Sequence, residues 1–245
     1  MKYLHQYIDD PWELIAHDEA LLDWAESQNP GHGVLATWES EKYFVVPGFS
    51  NRIQTEIFVD RCHQDDVPVI RRISGGGTVV QGPGCLNYSI ILPIDSEKQL
   101  STVTSTNEFM MKKLALALRD AFGQEIKING ITDLVFQNKK FSGNAQRRKR
   151  NTILFHGTLL HSFRLELISR YLKFPAITPE YRENKSHNEF VHNFPASPEK
   201  LIHTLKETWQ AHESLSSDIW KNCHKKAKEL ARQKYRMEEW NYRVN

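Results

Sequence analysis

Glycine is concentrated in one short stretch, residues 75–84 of the 245. Five of the 12 glycines fall between Gly75 and Gly84, in Ser74-Gly75-Gly76-Gly77-Thr78-Val79-Val80-Gln81-Gly82-Pro83-Gly84. Such a stretch is unsuited to a helix interior or a central strand. Glycine there loses the most conformational freedom and has no side chain to pack. It reads as a bend that lets the backbone approach a ligand closely. Arg71 and Arg72 precede it, at the end of the apolar run 67–73. Successive N–H groups in such a bend form a nest for an anion, and a neighbouring guanidinium grips phosphate or carboxylate in a bidentate way. The pattern is not a P-loop, because GxxxxGK[ST] is absent. Nor does it open a helix as GxGxxG does, since Thr78-Val79-Val80 leads to another glycine turn and then a strand. The bland alternative is a mobile hairpin connection.

Hydrophobic periodicity sets the other elements around this bend. Residues 10–27 read as a helix, with Asp10 as cap, Pro11 at the first position and Glu13 completing a capping box. Its face Leu14, Ile15, Asp18, Leu21, Leu22, Ala25 is apolar except for Asp18. Strands are predicted at 33–38, 42–47, 67–73 and 86–92, and a short helix from Thr55 to about Asp66. A second long helix spans 101–122, capped by Ser101 or Thr104. A hairpin turns around Asn138, between TDLVFQ and KKFSG, and TILFHGTLLHSF is a long strand. Residues 164–174 read as a short helix and 175–196 as loop. Two helices follow, at about 198–213 and 216–238. Strands in runs with helices grouped late predict an α+β fold with a mixed or antiparallel sheet rather than a doubly wound one. One domain over 1–196 with a helical segment 197–245 packed on it is the expected organisation.

Composition closes off several classes. The chain has 245 residues, 40% hydrophobic and 25% charged, a balance suited to a packed core. The longest apolar run, Leu86 to Ile94, is too short to span a bilayer. No signal-peptide core opens the sequence, so the expected location is the cytoplasm. A net charge of +2 does not by itself point to nucleic acid. Cys62, Cys85 and Cys223 lack metal or disulfide spacing.

Two more segments carry chemistry. Between 139 and 150, Lys139-Lys140-Phe141-Ser142-Gly143-Asn144-Ala145-Gln146-Arg147-Arg148-Lys149-Arg150, there are six cations and no acid. A solvated basic face is the ordinary reading. A lysine beside a glycine turn also suits a bound anion. RNA binding lacks the aromatic pattern that would accompany it. In Phe155-His156-Gly157-Thr158-Leu159-Leu160, His156 is ordinarily a satisfied strand residue, and Asp133 ordinarily a strand-end acid.

Together RRISGGGTV, Gly84 to Asn87, DLVFQNKKFSGNAQRR and FHGTLLHSF resemble the lipoate–protein ligase A family in order and spacing, over about residues 10–172. The tail Lys234-Tyr235-Arg236-Met237-Glu238-Glu239-Trp240-Asn241-Tyr242 resembles that family's KY…WN segment. The resemblance implies the biotinyl/lipoyl ligase fold, akin to class II synthetase cores. It implies activation of lipoate, or octanoate, by ATP and Mg2+ as an acyl-AMP. Transfer follows to a lysine of a lipoyl domain of a 2-oxoacid dehydrogenase E2 subunit or of the glycine-cleavage H protein. It assigns Lys140 as the essential lysine and Arg72 as a phosphate contact. Ser74, Gly75, Gly76, Gly77, Thr78, Val79 and Val80 form its adenylate loop. Ser142, Gly143, Ala145 and His156 lie beside the pocket, and Asn87 and Asp133 match motif positions. No metal-ligand set follows from it.

This chain departs from the pattern at Thr132, where an Asn is usual, and at Gln81, where a His is common. After Trp240-Asn241-Tyr242 it reads Arg243-Val244-Asn245, without the usual Gly and Ser-Pro. A catalytic domain without a full C-terminal accessory domain, with a separate accessory protein as a possible partner, is the expectation. Three alternatives stay open. One is an ATP-independent octanoyl or lipoyl transferase with a cysteine nucleophile, Cys85 being the thiol nearest the motifs. The second is a non-catalytic acyl-adenylate or nucleic-acid binder using Arg147 to Arg150. The third is a biotin ligase, which KKFSGNAQ fits less well.

Overall fold

The computed structural model describes residues 1–175 and 178–243. Its elements are β1 (Lys2–His5), α1 (Pro11–Gln28), β2 (Val34–Trp38), β3 (Phe44–Val46), α2 (Ile53–Glu56), α3 (Val59–Gln64), β4 (Val79–Gln81), β5 (Cys85–Pro93), α4 (Val103–Phe122), β6 (Ile126–Asn129), β7 (Asp133–Phe136), β8 (Lys139–Arg148), β9 (Thr152–Leu160), α5 (Glu166–Tyr171), α6 (His187–Phe190), α7 (Pro198–Trp209), β10 (Glu213–Ser214), α8 (Ser217–Leu230) and α9 (Glu238–Asn241). Among the described residues, eight strands form one sheet in the order β10-β1-β2-β5-β9-β8-β7-β6. β1 runs parallel to β10 and to β2, and the remaining neighbours are antiparallel. The fold is therefore α+β with a mixed, largely antiparallel sheet. A separate antiparallel ladder, β3 with β4, flanks the glycine bend.

The period of two along each strand sorts the faces of the sheet. Leu86, Tyr88 and Ile90 of β5, with Ile153, Phe155 and Leu159 of β9, pack in the core that α4 and α7 cover. The alternate residues Ile91 and Leu154, with Val34, Ala36 and Trp38 of β2, pack beneath α1 and α8. Each fully buried aliphatic side chain contributes about 1.5–3 kcal/mol, so both layers are held firmly. On the α1 face, alternation also buries Asn87, Ser89, His156 and Thr158 in whole or part. That polar row on an otherwise apolar face opens the site.

Local signals explain most boundaries. Asp10 Oδ1 accepts the N–H groups of Trp12 (2.9 Å) and Glu13 (3.2 Å), so α1 is capped as expected. Glu13 does not complete a capping box but turns toward His224. The β7–β8 turn has Gln137 and Asn138 at φ 50° and 60°, the paired left-handed residues of a tight hairpin.

Several expectations need correction. The cap of α4 is Thr102, whose Oγ1 accepts Ser105 N–H at 3.1 Å. The single helix expected from Thr55 is split into α2 and α3 at Ile57, which is extended and pairs with Leu172. Residues 67–73 form no ladder. Val69 makes one isolated parallel bridge to Val45, Pro68 lacks a donor, and both arginines turn inward instead. The 175–196 segment contains α6 and a parallel bridge of Val191 to Lys140, while its residues 176–177 lie outside the described residues. Residues 244–245 also lie outside them. In the C-terminal segment α7 packs on α4 and α8 on α1, so it adds to both layers. β1, β6 and β10 were not anticipated. No helix among the described residues is long and apolar enough to cross a membrane.

Candidate functional site

The glycine bend is built around the side chain of Arg72. Its Nη2 donates to the carbonyls of Gly75 (2.6 Å) and Gly77 (2.8 Å), Nη1 to that of Val46 (2.9 Å), and Nε to Ser74 Oγ (3.0 Å). In a trans peptide the C=O and the following N–H point opposite ways. Holding the Gly75 and Gly77 carbonyls inward therefore turns the amides of Gly76 and Thr78 away from Arg72. Gly76 has φ +85°, a conformation other residues rarely adopt. Burial lowers the pKa of Arg72 to about 10, with the Glu56 carboxylate opposing, so it remains a cation at neutral pH. Thr78 at the end of the bend donates its hydroxyl to Glu56 Oε2 at 2.5 Å.

β8 supplies the facing wall, and a ladder irregularity aims it. Asp133 pairs with Gly143, but two residues on, Val135 pairs with Lys140. Asp133 and Val135 share a face, so Lys140 and Gly143, three apart, share it too. Only an inserted residue in β8 permits this. Lys140 then runs across Gly143, where a Cβ would sit 3.0 Å from its Nζ and 3.1 Å from its Cε. Its ammonium lies 2.7 Å from Asp133 Oδ1, and Tyr181 donates to Asp133 Oδ2 at 2.6 Å. The bend and β8 meet at Gly76, whose built Cβ position is 3.5 Å from the Ala145 side chain.

The floor is a continuous polar chain. Arg72 Nε donates to Ser74 Oγ, Ser74 Oγ lies 2.6 Å from His156 Nε2, His156 Nδ1 lies 2.7 Å from Asp18 Oδ2, and Ser89 donates to Asp18 Oδ1 at 2.6 Å. One proton arrangement satisfies every member. His156 carries its proton on Nδ1, toward Asp18, and accepts from Ser74 at Nε2. Next to it Asn87 Nδ2 donates to Gln81 (2.8 Å), Gln81 Nε2 to Thr158 (3.1 Å) and Thr158 back to Asn87 Oδ1 (2.8 Å). This closed ring gives Gln81, which departs from the family pattern, a defined structural place.

These walls enclose one cavity of ≈ 190 Å³. Arg72, Gly76, Gly77, Thr78, Val79, Asn87, Asp133, Lys140, Gly143, Ala145 and His156 line it. Ser74 and Gly75 lie behind them, tied to Arg72. Ser142 is buried beside Asn144, and Val80 packs with Val45 and Cys85 in a third apolar cluster. Ile15, Trp38, Val46, Ile73 and Val79 form the apolar part. Ile90 of β5 packs on the α4 side of the sheet. Asp18, Trp38, Ser89, Thr132, Asn144 and Tyr88 also line the cavity and were missed. Of these, Asp18 is marked in the sequence as the one acid on an apolar helix face, and Thr132 and Asn144 lie beside or within the DLVFQNKKFSGNAQRR segment. A second cleft of ≈ 600 Å³, between β1 and α7, holds none of the predicted site residues. The basic run is tied down rather than presented as one patch. Arg148 donates to Thr106 and to the Leu100 carbonyl, Lys149 pairs with Asp23, and Arg147 lies 5.2 Å over the Phe49 ring.

Amides held around a cation, an ammonium and an apolar slot in one cavity suit a ligand that is anionic at one part and aliphatic at another. The chain belongs to the lipoyl protein ligase A/B catalytic domain family, whose profile matches residues 10–209. It is 27% identical to the lipoate-protein ligase A subunit 1 of Thermoplasma acidophilum, over 93% of this chain and 90% of that one. It is 26% identical to the octanoyltransferase LipM of Carboxydothermus hydrogenoformans, over 94% of each. Against a Mycoplasma pneumoniae relative, 26% identical over 85% of this chain, the match spans 62% of the relative's length. Among solved structures, a lipoate-protein ligase A bound with ATP shares the fold at TM-score 0.79 and 23% identity, covering 100% of both chains. A bi-partite lipoate protein ligase from Thermoplasma acidophilum, described with its E2 lipoyl domain, superposes at TM-score 0.79 and 23% identity, over 100% of this chain and 96% of that one. The chain is thus an enzyme-family member whose relatives are named both as ligases and as a transferase.

Proposed function

We propose that this cavity performs ATP-dependent ligation of lipoate, or octanoate, to a protein lysine. The observation that carries the reading is the Lys140 ammonium, brought across Gly143 by the bulge into the cavity that the Gly76–Val79 bend lines. In the first step a carboxylate oxygen of the acid attacks the α-phosphorus of ATP and pyrophosphate leaves. Negative charge grows on the α-phosphate, where a fixed ammonium and backbone amides stabilise the transition state. Asp133, itself held by Tyr181, orients that ammonium. In the second step the acceptor amine attacks the acyl carbon, an amide forms and AMP leaves. A free lysine has a pKa of about 10.4 and is mostly protonated at neutral pH. A nearby cation disfavours a second ammonium and so helps the acceptor lose its proton.

Among the described residues no three metal-ligating side chains cluster. A magnesium ion would in this reading be held chiefly by the nucleotide phosphates, whose charge it would neutralise. The ATP-bound fold neighbour, the lipoate-protein ligase names and the E2 lipoyl domain described with the Thermoplasma ligase support ATP, lipoate and a lipoyl domain as the reactants. The bi-partite neighbour likewise supports a separate accessory protein as partner. A cysteine-dependent acyl transfer is the reading that the LipM relative favours. It needs an accessible thiolate. Cys62, Cys85 and Cys223 are all buried and none lines the cavity, and burial raises the thiol pKa of Cys85 well above its ordinary value. These observations support the ligase. Mass spectrometry of a recombinant lipoyl domain incubated with the protein, lipoate and Mg-ATP tests it. A lipoyl adduct that needs ATP and Lys140 is expected; an adduct formed without ATP from an acylated carrier protein would overturn it.

A further inference from the structure

The KY…WN tail takes no part in the chemistry above, yet it grips the two elements that end the polar floor, α1 and the segment leading into the bend. At one end Lys234 Nζ lies 2.8 Å and 2.7 Å from the two oxygens of Glu19, and Tyr235 donates to Glu19 Oε2 at 2.6 Å. Glu19 follows Asp18 on α1. Successive helical residues point about 100° apart, so the tail holds α1 beside the face that sends Asp18 into the cavity. At the other end the Arg71 N–H donates to Asn241 Oδ1 (2.9 Å), and Trp240 Nε1 donates to the Arg71 carbonyl (2.8 Å). The buried Arg71 guanidinium donates back to the Asn241 carbonyl through Nη2 at 2.9 Å, and through Nη1 to the Gly48 and Asn51 carbonyls at 2.8 Å. Arg71 directly precedes Arg72. Asn241 Nδ2 joins the two ends by donating to the Tyr235 carbonyl at 2.7 Å, and Lys234 Nζ sits 4.0 Å over the Trp240 ring.

We propose that this tail is a brace that fixes the separation of Arg72 and Asp18 and so holds His156 between Ser74 and Asp18. Lys234, Tyr235, Trp240 and Asn241 are then positioning residues for the cavity. The span Arg72–Ser74–His156–Asp18 consists of hydrogen bonds of 2.6–3.0 Å, and such bonds are lost when a partner moves by less than an ångström. α1 and the bend come from distant parts of the chain, and the tail contacts both through the neighbours of the residues that end the span. The inference relies on the ligase reading only for what the cavity binds.

Side-chain 15N NMR of His156 in the full chain tests it, with the signal assigned through His156→Gln. Wild type is expected to show two widely separated ring nitrogens, the signature of one fixed Nδ1–H tautomer. In Asn241→Ala and in Glu19→Gln they should collapse toward a common averaged position. Lys2→Met, which removes only a surface pair with Glu213, should leave them in place. If Asn241→Ala does not fold, Trp240→Phe carries the test, since it removes the single bond to the Arg71 carbonyl. An unchanged His156 signature in the folded tail variants, or an averaged one in wild type, overturns the proposal. ATP–pyrophosphate exchange by wild type is scored separately, so failure of the ligase reading and failure of the brace remain distinguishable.

Discussion

Asp18 and His17 are neighbours on α1, both buried, and they meet opposite conditions. Asp18 faces the cavity and has a partner for each oxygen, Ser89 and His156. His17 faces α8, with Trp220 at 4.9 Å between ring centroids and His224 at 6.4 Å. Neither of its ring nitrogens has a hydrogen-bond partner. Burial lowers its pKa to about 4; Asp18 opposes this shift and His224 adds to it. His224 is itself flanked by Glu13 and Lys228. One turn of helix thus carries a saturated polar network on one side and an unsatisfied imidazole on the other. The contrast teaches what each region is for. A buried polar group with every bond made is held in place and specifies geometry. A buried one with none made costs stability and specifies nothing.

The largest effect should come from the cavity's own cation. Lys140→Ala is expected to lower lipoate-dependent ATP–pyrophosphate exchange by about 10²–10³-fold, the usual cost of losing one charge-stabilising donor. Retention of wild-type exchange would remove the ammonium from the proposed chemistry.

Next in size is the network itself. His156→Ala leaves Asp18 buried with one partner gone and should cost about 3 kcal/mol in urea unfolding. A loss no greater than that of His17→Ala would erase the distinction between the two neighbours.

His17 should govern acid sensitivity. Its folded pKa of about 4 lies below the unfolded value of about 6.5, so the unfolded chain takes up the proton first. The stability is present in full above about pH 6.5, is lost as pH falls toward 4, and amounts to roughly 3 kcal/mol at most. His17→Leu should flatten the fall in thermal midpoint between pH 7 and pH 5. A variant as acid-sensitive as wild type would point to other groups.

The smallest effect is expected at Cys85. Its Sγ is fully buried beside the Val80 carbonyl. Cys85→Ala should leave the rate of lipoyl-domain modification within about twofold, with a stability cost near 1 kcal/mol. Abolished transfer in a folded variant would favour the cysteine route.

Much of this architecture was legible in advance because local chemistry decides it. Asp10-Pro11 starts α1 in any context, and Asn138 sits at a hairpin turn because left-handed backbone suits it. Residues 67–73 misled because an apolar run with arginines resembles a strand. Arg71 is buried because distant carbonyls accept from it, and Arg72 because the Val46 carbonyl and those of its own bend do. The motif residues that line the cavity were found as a set, since they cluster in short segments. Trp38 was not, because nothing in its own neighbourhood marks it.

Residue order alone determined the bend, its flanking cations and the α+β alternation, since backbone entropy and side-chain period act within a few residues. Folding in three dimensions decided which cation serves which surface. Arg72 went inward to the loop carbonyls, while a one-residue slip in β8 swung Lys140 over Gly143 into the cavity. Such choices depend on distant strands and on the tail at 234–241, whose partners are set by packing and charge across the whole molecule.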